Sequence, residues 1–229
     1  MFTRMRARPR KAAVVDVAET WAACSVLLDY PTSELVDSLD AIEALVGAHP
    51  DLSEVIDHMR TTDLDALQRE YVTTFDQTRK CALYLTYFAY GDTRRRGVAL
   101  VQFKQAYRSA GIEWDEECGE LPDHLCAVLQ FGATHSSEVA LTLLNDHRAG
   151  VEMLRLALEG WRNDDGTVGS PWAGVLRAVC GTLPELQGDE ADAVRRLVEH
   201  GPPREDVGLQ TYGTDPLIAP AIIPVGAPR

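Results

Sequence analysis

The chain has 229 residues, 45% of them apolar and 25% charged, with 22 basic against 35 acidic side chains and a formal charge of −13. That length suits one large domain, or one domain with tails, and buries about 70% of its unfolded surface, so folding needs no disulfide or metal staple. The acidic balance argues against a protein built to bind nucleic acid, whose phosphates need a basic face, and favours basic partners. Cys24, Cys81, Cys118, Cys126 and Cys180 are odd in number and none is spaced as CxxC, so reduced thiols in a cytoplasmic protein are expected. No run of 18 apolar residues occurs, which predicts no insertion into a membrane.

In chain order, the first 11 residues carry five basic side chains and no acid. With no apolar run after them they read as a basic tail without stable structure, over residues 1–13. Helix then follows helix. Ala18–Leu28 is apolar at Trp21, Ala22 and Val26 and stops before Pro31. Ser33 is the expected N-cap of a helix that turns Leu35, Leu39, Ile42 and Val46 inward. Pro50 opens a short helix through Met59, and Asp63 caps a run with Leu64, Leu67, Tyr71 and Phe75 at helical spacing. Within residues 76–91, Leu83, Tyr84, Leu85, Tyr87, Phe88 and Tyr90 are apolar or aromatic all round. A strand is locally possible there, but without strand partners nearby a buried helix or turn is the better reading.

Asp92 or Thr93 caps the next helix, whose inner stripe is Ala99, Leu100, Phe103, Ala106, Tyr107 and Ala110, and Gly111 ends it. Leu121–Phe131 follows, with Pro122 in its first turn. The longest helix is expected over Ser137–Trp161, with Ala140, Leu144, His147, Val151, Leu154, Leu158 and Trp161 on one face. Two more fit Pro171–Thr182 and Asp189–His200. Six of the twelve prolines lie beyond residue 200, so 201–229 reads as a proline-rich tail. The expectation is an all-α fold: one helical domain of about eight or nine helices over residues 14–200, between two tails.

Motifs for chemistry are missing. Gly91-Asp-Thr-Arg-Arg-Arg-Gly97 lacks the spacing and the lysine of a P-loop, and no GxGxxG, HExxH or GxSxG occurs. No two of the six histidines are spaced as metal ligands on one helix face, so neither a metal nor a cofactor site is expected. Cys126 beside His124 is a poor nucleophile–base pair, because neighbouring helical positions point apart. Glu113, Asp115, Glu116, Glu117, Glu120 and Asp123 form an acidic cluster flanked by Tyr107, Trp114 and Phe131. It is either a solvated loop or an anionic lip for a basic amphipathic peptide. Arg94, Arg95 and Arg96 sit in a first helical turn, where the helix dipole disfavours cations. They either mark a partner site or pair with nearby acids.

Two stretches carry a resemblance. One is Tyr71-Val-Thr-Thr-Phe75-Asp76, Cys81-Ala-Leu83-Tyr84-Leu-Thr-Tyr87 and Gly91-Asp-Thr-Arg-Arg-Arg-Gly97. The other is Glu120-Leu-Pro122-Asp123-His124, followed by Leu129-Gln-Phe131. The second resembles the ExPDHxxxxLxF pattern of redox-enzyme maturation chaperones. The first is similar to their nitrate reductase delta-subunit (NarJ-type) branch. The resemblance implies an all-helical, non-enzymatic, cytoplasmic chaperone. Its expected partner is the N-terminal segment of the catalytic subunit of respiratory nitrate reductase. That subunit would be held until its molybdenum cofactor is inserted, and the chaperone is absent from the finished enzyme. On that reading Tyr71, Phe75, Tyr84, Tyr87 and Phe131 line a groove for apolar residues of the client. Glu120 and Asp123 receive its basic end, Asp123 alternatively caps the helix that follows it, and His124 either makes binding pH-sensitive or holds the loop by a hydrogen bond. Rival readings are a chaperone of the same fold for another molybdoenzyme, and a nucleotide-hydrolysing enzyme, against which the missing P-loop counts.

Overall fold

A computed structural model describes residues 16–163, 166–186, 188, 192 and 194–196. Among them are ten α-helices and no strand. The basic tail, the proline-rich tail and most of the helix expected over Asp189–His200 lie outside the described residues.

Helix α1 (Val17–Leu27) is the centre of the fold. Asp16 caps it by accepting from the Ala18 N–H at 2.9 Å. Trp21, Cys24 and Leu27 are almost wholly enclosed by later helices. The Trp21 indole N–H donates to the Thr182 hydroxyl at 2.8 Å, and that of Trp172 donates to the Leu27 carbonyl at 3.2 Å, so the segment from Trp172 to Thr182 closes on this helix. Helix α2 (Ser33–Val46) turns Leu35, Leu39, Ile42 and Val46 inward, as its periodicity predicts. Its cap is Thr32 rather than Ser33, because the Thr32 hydroxyl is the one that meets the Leu35 N–H.

Helix α3 (Pro50–Thr61) and helix α4 (Leu64–Tyr71) follow, the latter capped by Asp63 as expected. After Tyr71 the helix widens into a π turn over Val72–Asp76. The extra residue in that turn shifts the register. Phe75 and Tyr71 then meet, at 4.8 Å between ring centroids, over the edge of Trp172. A 3-10 turn (Arg79–Cys81) leads into the short helix α5 (Leu85–Tyr90), so the apolar stretch is a turn followed by a helix. Gly91, at φ +57°, reverses the chain into helix α6 (Arg94–Ser109), the longest described. Gly111, at φ +83°, stands just beyond it.

Two expectations are corrected beyond this point. Helix α7 covers Leu125–Thr134, not Leu121–Phe131. Two of the four residues before it have their carbonyls committed elsewhere: that of Pro122 accepts from the Tyr107 hydroxyl at 2.6 Å, and that of Asp123 from the Leu85 N–H at 3.0 Å. Pro122 therefore fixes a turn instead of opening the helix. The long helix over Ser137–Trp161 is two helices, α8 (Ser137–Asp146) and α9 (Arg148–Glu159), broken at His147. The break lets the His147 ring lie against Phe103, 5.1 Å between centroids. The apolar spacing runs unbroken through the bend, so it does not reveal the break. Helix α10 (Ala173–Gly181) packs on α1, α3 and α9.

Candidate functional site

The two sequence stretches that stood out are bonded together. Leu83–Leu85 pairs with Asp123–Leu125 as one isolated antiparallel bridge, with Leu125 N–H donating to the Leu83 carbonyl at 2.8 Å. The Asp123 carboxylate is wholly buried and accepts from the Thr86 N–H at 3.0 Å and the Thr86 hydroxyl at 2.5 Å. It thus caps the start of α5 from another part of the chain. It does not cap α7, which it precedes. Arg96 reaches the same point: its Nε donates to the Thr86 hydroxyl at 3.2 Å, and Nη2 lies 3.9 Å from the carboxylate. The guanidinium also covers the Tyr84 ring at 5.3 Å. Of the three arginines, Arg96 therefore pairs with a nearby acid, while Arg94 and Arg95 are exposed.

Beside this junction lies a cleft of about 590 Å³ between α1, α7 and the loop after α6. Val26, Tyr107, Ile112, Trp114, Ala127 and Phe131 supply its apolar surface. Asp29, Glu113, Asp115 and Glu120 stand around them, and the lining holds no lysine or arginine. Tyr107 stacks on Trp114 at 5.5 Å and tilts against Phe131 at 4.6 Å, while His135 lies flat on Phe131 at 5.8 Å. Val26 is 39% exposed at the C-terminal end of α1, leaving apolar surface open.

Of the four carboxylates around the cleft, Glu113 already has a cationic partner. The Arg108 guanidinium, hydrogen-bonded to Glu113 through two nitrogens at 2.9 Å, holds that carboxyl below its ordinary range. Burial depresses the His124 imidazole, against the opposing pull of Glu120, Asp29 and Asp123, so His124 is biased to the neutral form. Burial, then the Glu120 charge, pushes the Tyr84 hydroxyl up to about 12. Burial also raises the Cys126 thiol well above its usual value, which removes it as a nucleophile at neutral pH.

The structure thus brings Glu120, His124 and Phe131 of the expected site residues into one cleft. Tyr84 packs edge-on against His124 at 5.2 Å, just behind it. The other expected residues are elsewhere. Tyr71 and Phe75 are buried around Trp172, with the Tyr71 hydroxyl donating to the Leu28 carbonyl at 3.0 Å. Tyr87 is buried against Phe88. Asp123 has no exposed surface with which to meet a client. Two acids of the cluster also leave the lining: Glu116 is bound to Lys104, and Glu117 is exposed outside it. Val26 and Asp29 are cleft residues that the sequence did not reveal, because they lie at and just beyond the end of a helix about ninety positions upstream of the motif. No group of three metal-ligating side chains converges among the described residues.

Comparisons with known proteins agree with this architecture. A crystal structure from Archaeoglobus fulgidus, described as a redox enzyme maturation protein, superposes with a TM-score of 0.55 at 23% identity, covering 75% of this chain and 96% of that one. At that identity the likeness concerns the fold. A nitrate reductase-like protein, NarX, of Mycobacterium tuberculosis is 35% identical over 164 residues, 71% of this chain. The chain spans only 24% of that relative's length. A Bacillus subtilis protein named as a probable nitrate reductase molybdenum cofactor assembly chaperone, NarJ, is 34% identical over 151 residues, 63% of this chain and 80% of its own length. The family model for the nitrate reductase delta subunit matches residues 39–163, which include both bonded motif stretches and most of the cleft. By that match and the Bacillus relative, the chain belongs to the nitrate reductase delta subunit family.

Proposed function

We propose that this protein is an assembly chaperone for the catalytic subunit of respiratory nitrate reductase. On this reading it holds the client's N-terminal segment in the cytoplasm while the molybdenum cofactor is inserted, and then leaves. The names of its relatives support the chaperone role. The single observation that carries the peptide site is an open aromatic and aliphatic floor ringed by four carboxylates with no lysine or arginine in the lining. Apolar side chains of the client give up water on Val26, Ile112, Trp114 and Phe131, at about 25 cal/mol for each Å² buried. Arginines at one end of the client meet Asp29, Glu113, Asp115 and Glu120, which fixes direction and speeds encounter. The Asp123–Thr86–Arg96 junction sets the wall behind the cleft and touches no client. The fold performs no covalent step on this reading.

The test is a titration of synthetic N-terminal peptides, one from the nitrate reductase catalytic subunit and others from unrelated molybdoenzymes. Val26→Arg places a cation on the floor at an exposed position, so the fold is preserved while the peptide is repelled. We expect the nitrate reductase peptide to bind the parent, and Val26→Arg to weaken it at least tenfold. Leu45→Arg, at another exposed apolar position on α2, should leave binding unchanged. Equal binding by the parent and Val26→Arg would place the peptide elsewhere. Equal binding of all the peptides would remove the assignment of the client.

A further inference from the structure

The first eleven residues carry Arg4, Arg6, Arg8, Arg10 and Lys11 without an acid, in a chain whose formal charge is −13. Phe2 and Met5 give the same stretch two apolar anchors. It lies outside the described residues, which begin at Asp16, the cap of α1. That helix is also a wall of the acidic cleft, through Ser25 and Val26, with Asp29 just beyond its end. The basic stretch is therefore tethered to the side of the one described cleft whose lining suits its chemistry.

We propose that residues 2–11 are a built-in occupant of this cleft, folding back along α1 and standing in for a client until one displaces them. The proposal rests on reading the cleft as a site for basic peptides. The reach is sufficient. At about 1.5 Å per helical residue, Asp29 is about 20 Å from Asp16 along the axis. The chain from Lys11 to Asp16 can span up to about 17 Å, and each further residue can add about 3.4 Å. Arg10 and the residues before it thus reach Asp29, Glu113, Asp115 and Glu120, with Phe2 and Met5 available for the floor.

Tethering decides whether a weak contact matters. A segment on a short flexible linker faces its site at an effective concentration of about 1 mM. An intrinsic affinity of only about 0.2 mM then keeps the cleft filled most of the time and weakens any competitor about sixfold. The cleft gains a threshold: a short basic peptide fails to displace the resident segment, whereas a client with a longer apolar face succeeds.

Two measurements on the full chain test this. The first is zero-length carbodiimide coupling at low protein concentration, mapped by mass spectrometry. We expect Lys11 joined, within one molecule, to Asp29, Glu113, Asp115 or Glu120, alongside the Lys104–Glu116 pair that serves as internal control. Coupling of Lys11 only to Asp16 or Glu19, only between molecules, or not at all while the control forms, overturns the proposal. The second uses a labelled peptide with the sequence of residues 1–13 as probe. It is titrated into the parent and into the variant Arg4→Gln, Arg6→Gln, Arg8→Gln, Arg10→Gln, Lys11→Gln. The variant should bind the probe at least fivefold more tightly than the parent at low salt, with the gap closing in about 0.5 M salt as charges are screened. Equal binding to both proteins leaves the cleft reading intact and sinks the resident segment. Absence of probe binding to either protein sinks the cleft reading, and this proposal with it.

Discussion

Thr86 and Asp123 are 37 residues apart in sequence, yet the Asp123 carboxylate takes both the N–H and the hydroxyl of Thr86, with Arg96 closing the group. This contact joins the two most distinctive stretches of the chain and holds the wall behind the cleft. Removing one member of a buried charged group leaves its partners dry and unpaired, which costs about 3–5 kcal/mol. Asp123→Ala should therefore lower unfolding free energy by about that amount. Asp123→Asn keeps an acceptor for Thr86 and should cost about 1–2 kcal/mol. Denaturant titrations decide it: an Ala variant within about 0.5 kcal/mol of the parent would mean that the junction is incidental.

Close packing of α1 on α7 depends on Gly132. A Cβ there would lie 2.5 Å from the Trp21 ring and 2.7 Å from the Ala140 Cβ. Alanine is the better helix former by about 1 kcal/mol, but forcing a methyl into a full core costs about 1–3 kcal/mol. Gly132→Ala should thus lower the melting temperature in spite of propensity. Gly181→Ala, where a Cβ meets nothing within 4 Å, should not. Equal melting of the two variants would contradict the tight contact.

Charges around the cleft should act mainly on association. Exposed ion pairs are individually weak, so Glu113→Gln with Asp115→Asn and Glu120→Gln should weaken a basic peptide only several-fold at low salt. The loss should shrink as salt screens the charges over about 10 Å at 0.1 M. Glu116→Gln, whose carboxylate serves Lys104, should change nothing. Trp114→Ala should cost more and respond little to salt, because it removes apolar contact. A triple variant that binds like the parent at low salt would reduce the lip to a solvated loop.

Both His124 and His147 are held below the ordinary histidine pKa by burial. The unfolded chain therefore binds their protons more readily than the folded one. Their contribution to stability is present above about pH 6.5 and is lost as pH falls through that value toward the lower folded-state values. Unfolding free energy measured from pH 7.5 down to 5.5 should decline, and His147→Asn should flatten the decline. A parent profile that rises over this range would refute the assignment.

Much of the helical framework follows from the sequence alone, because one-sided apolar spacing has a single local solution. Leu35, Leu39, Ile42 and Val46 specify α2 without reference to anything else, and Pro50 and Asp63 mark where α3 and α4 begin. The acidic lip with its aromatic neighbours, Glu113 through Phe131, is also legible, since these residues are close in the chain. Aromatic content alone could not separate Phe131, which faces the cleft, from Tyr71 and Phe75, which enclose Trp172. Both environments reward the same side chains.

Only the tertiary structure decides the rest. The break at His147 is set by packing on Phe103, and the late start of α7 by hydrogen bonds from Tyr107 and Leu85. Asp123 became a buried cap for a helix far away in sequence because Thr86 and Arg96 arrive beside it. The cleft needed Val26 of α1 and Asp29 just beyond that helix as its second wall. Helical periodicity is a property of neighbours three and four residues apart, and it carries no information about which distant groups will meet. Where a backbone carbonyl, a carboxylate or a ring finds its partner across the fold, long-range packing overrides the local pattern.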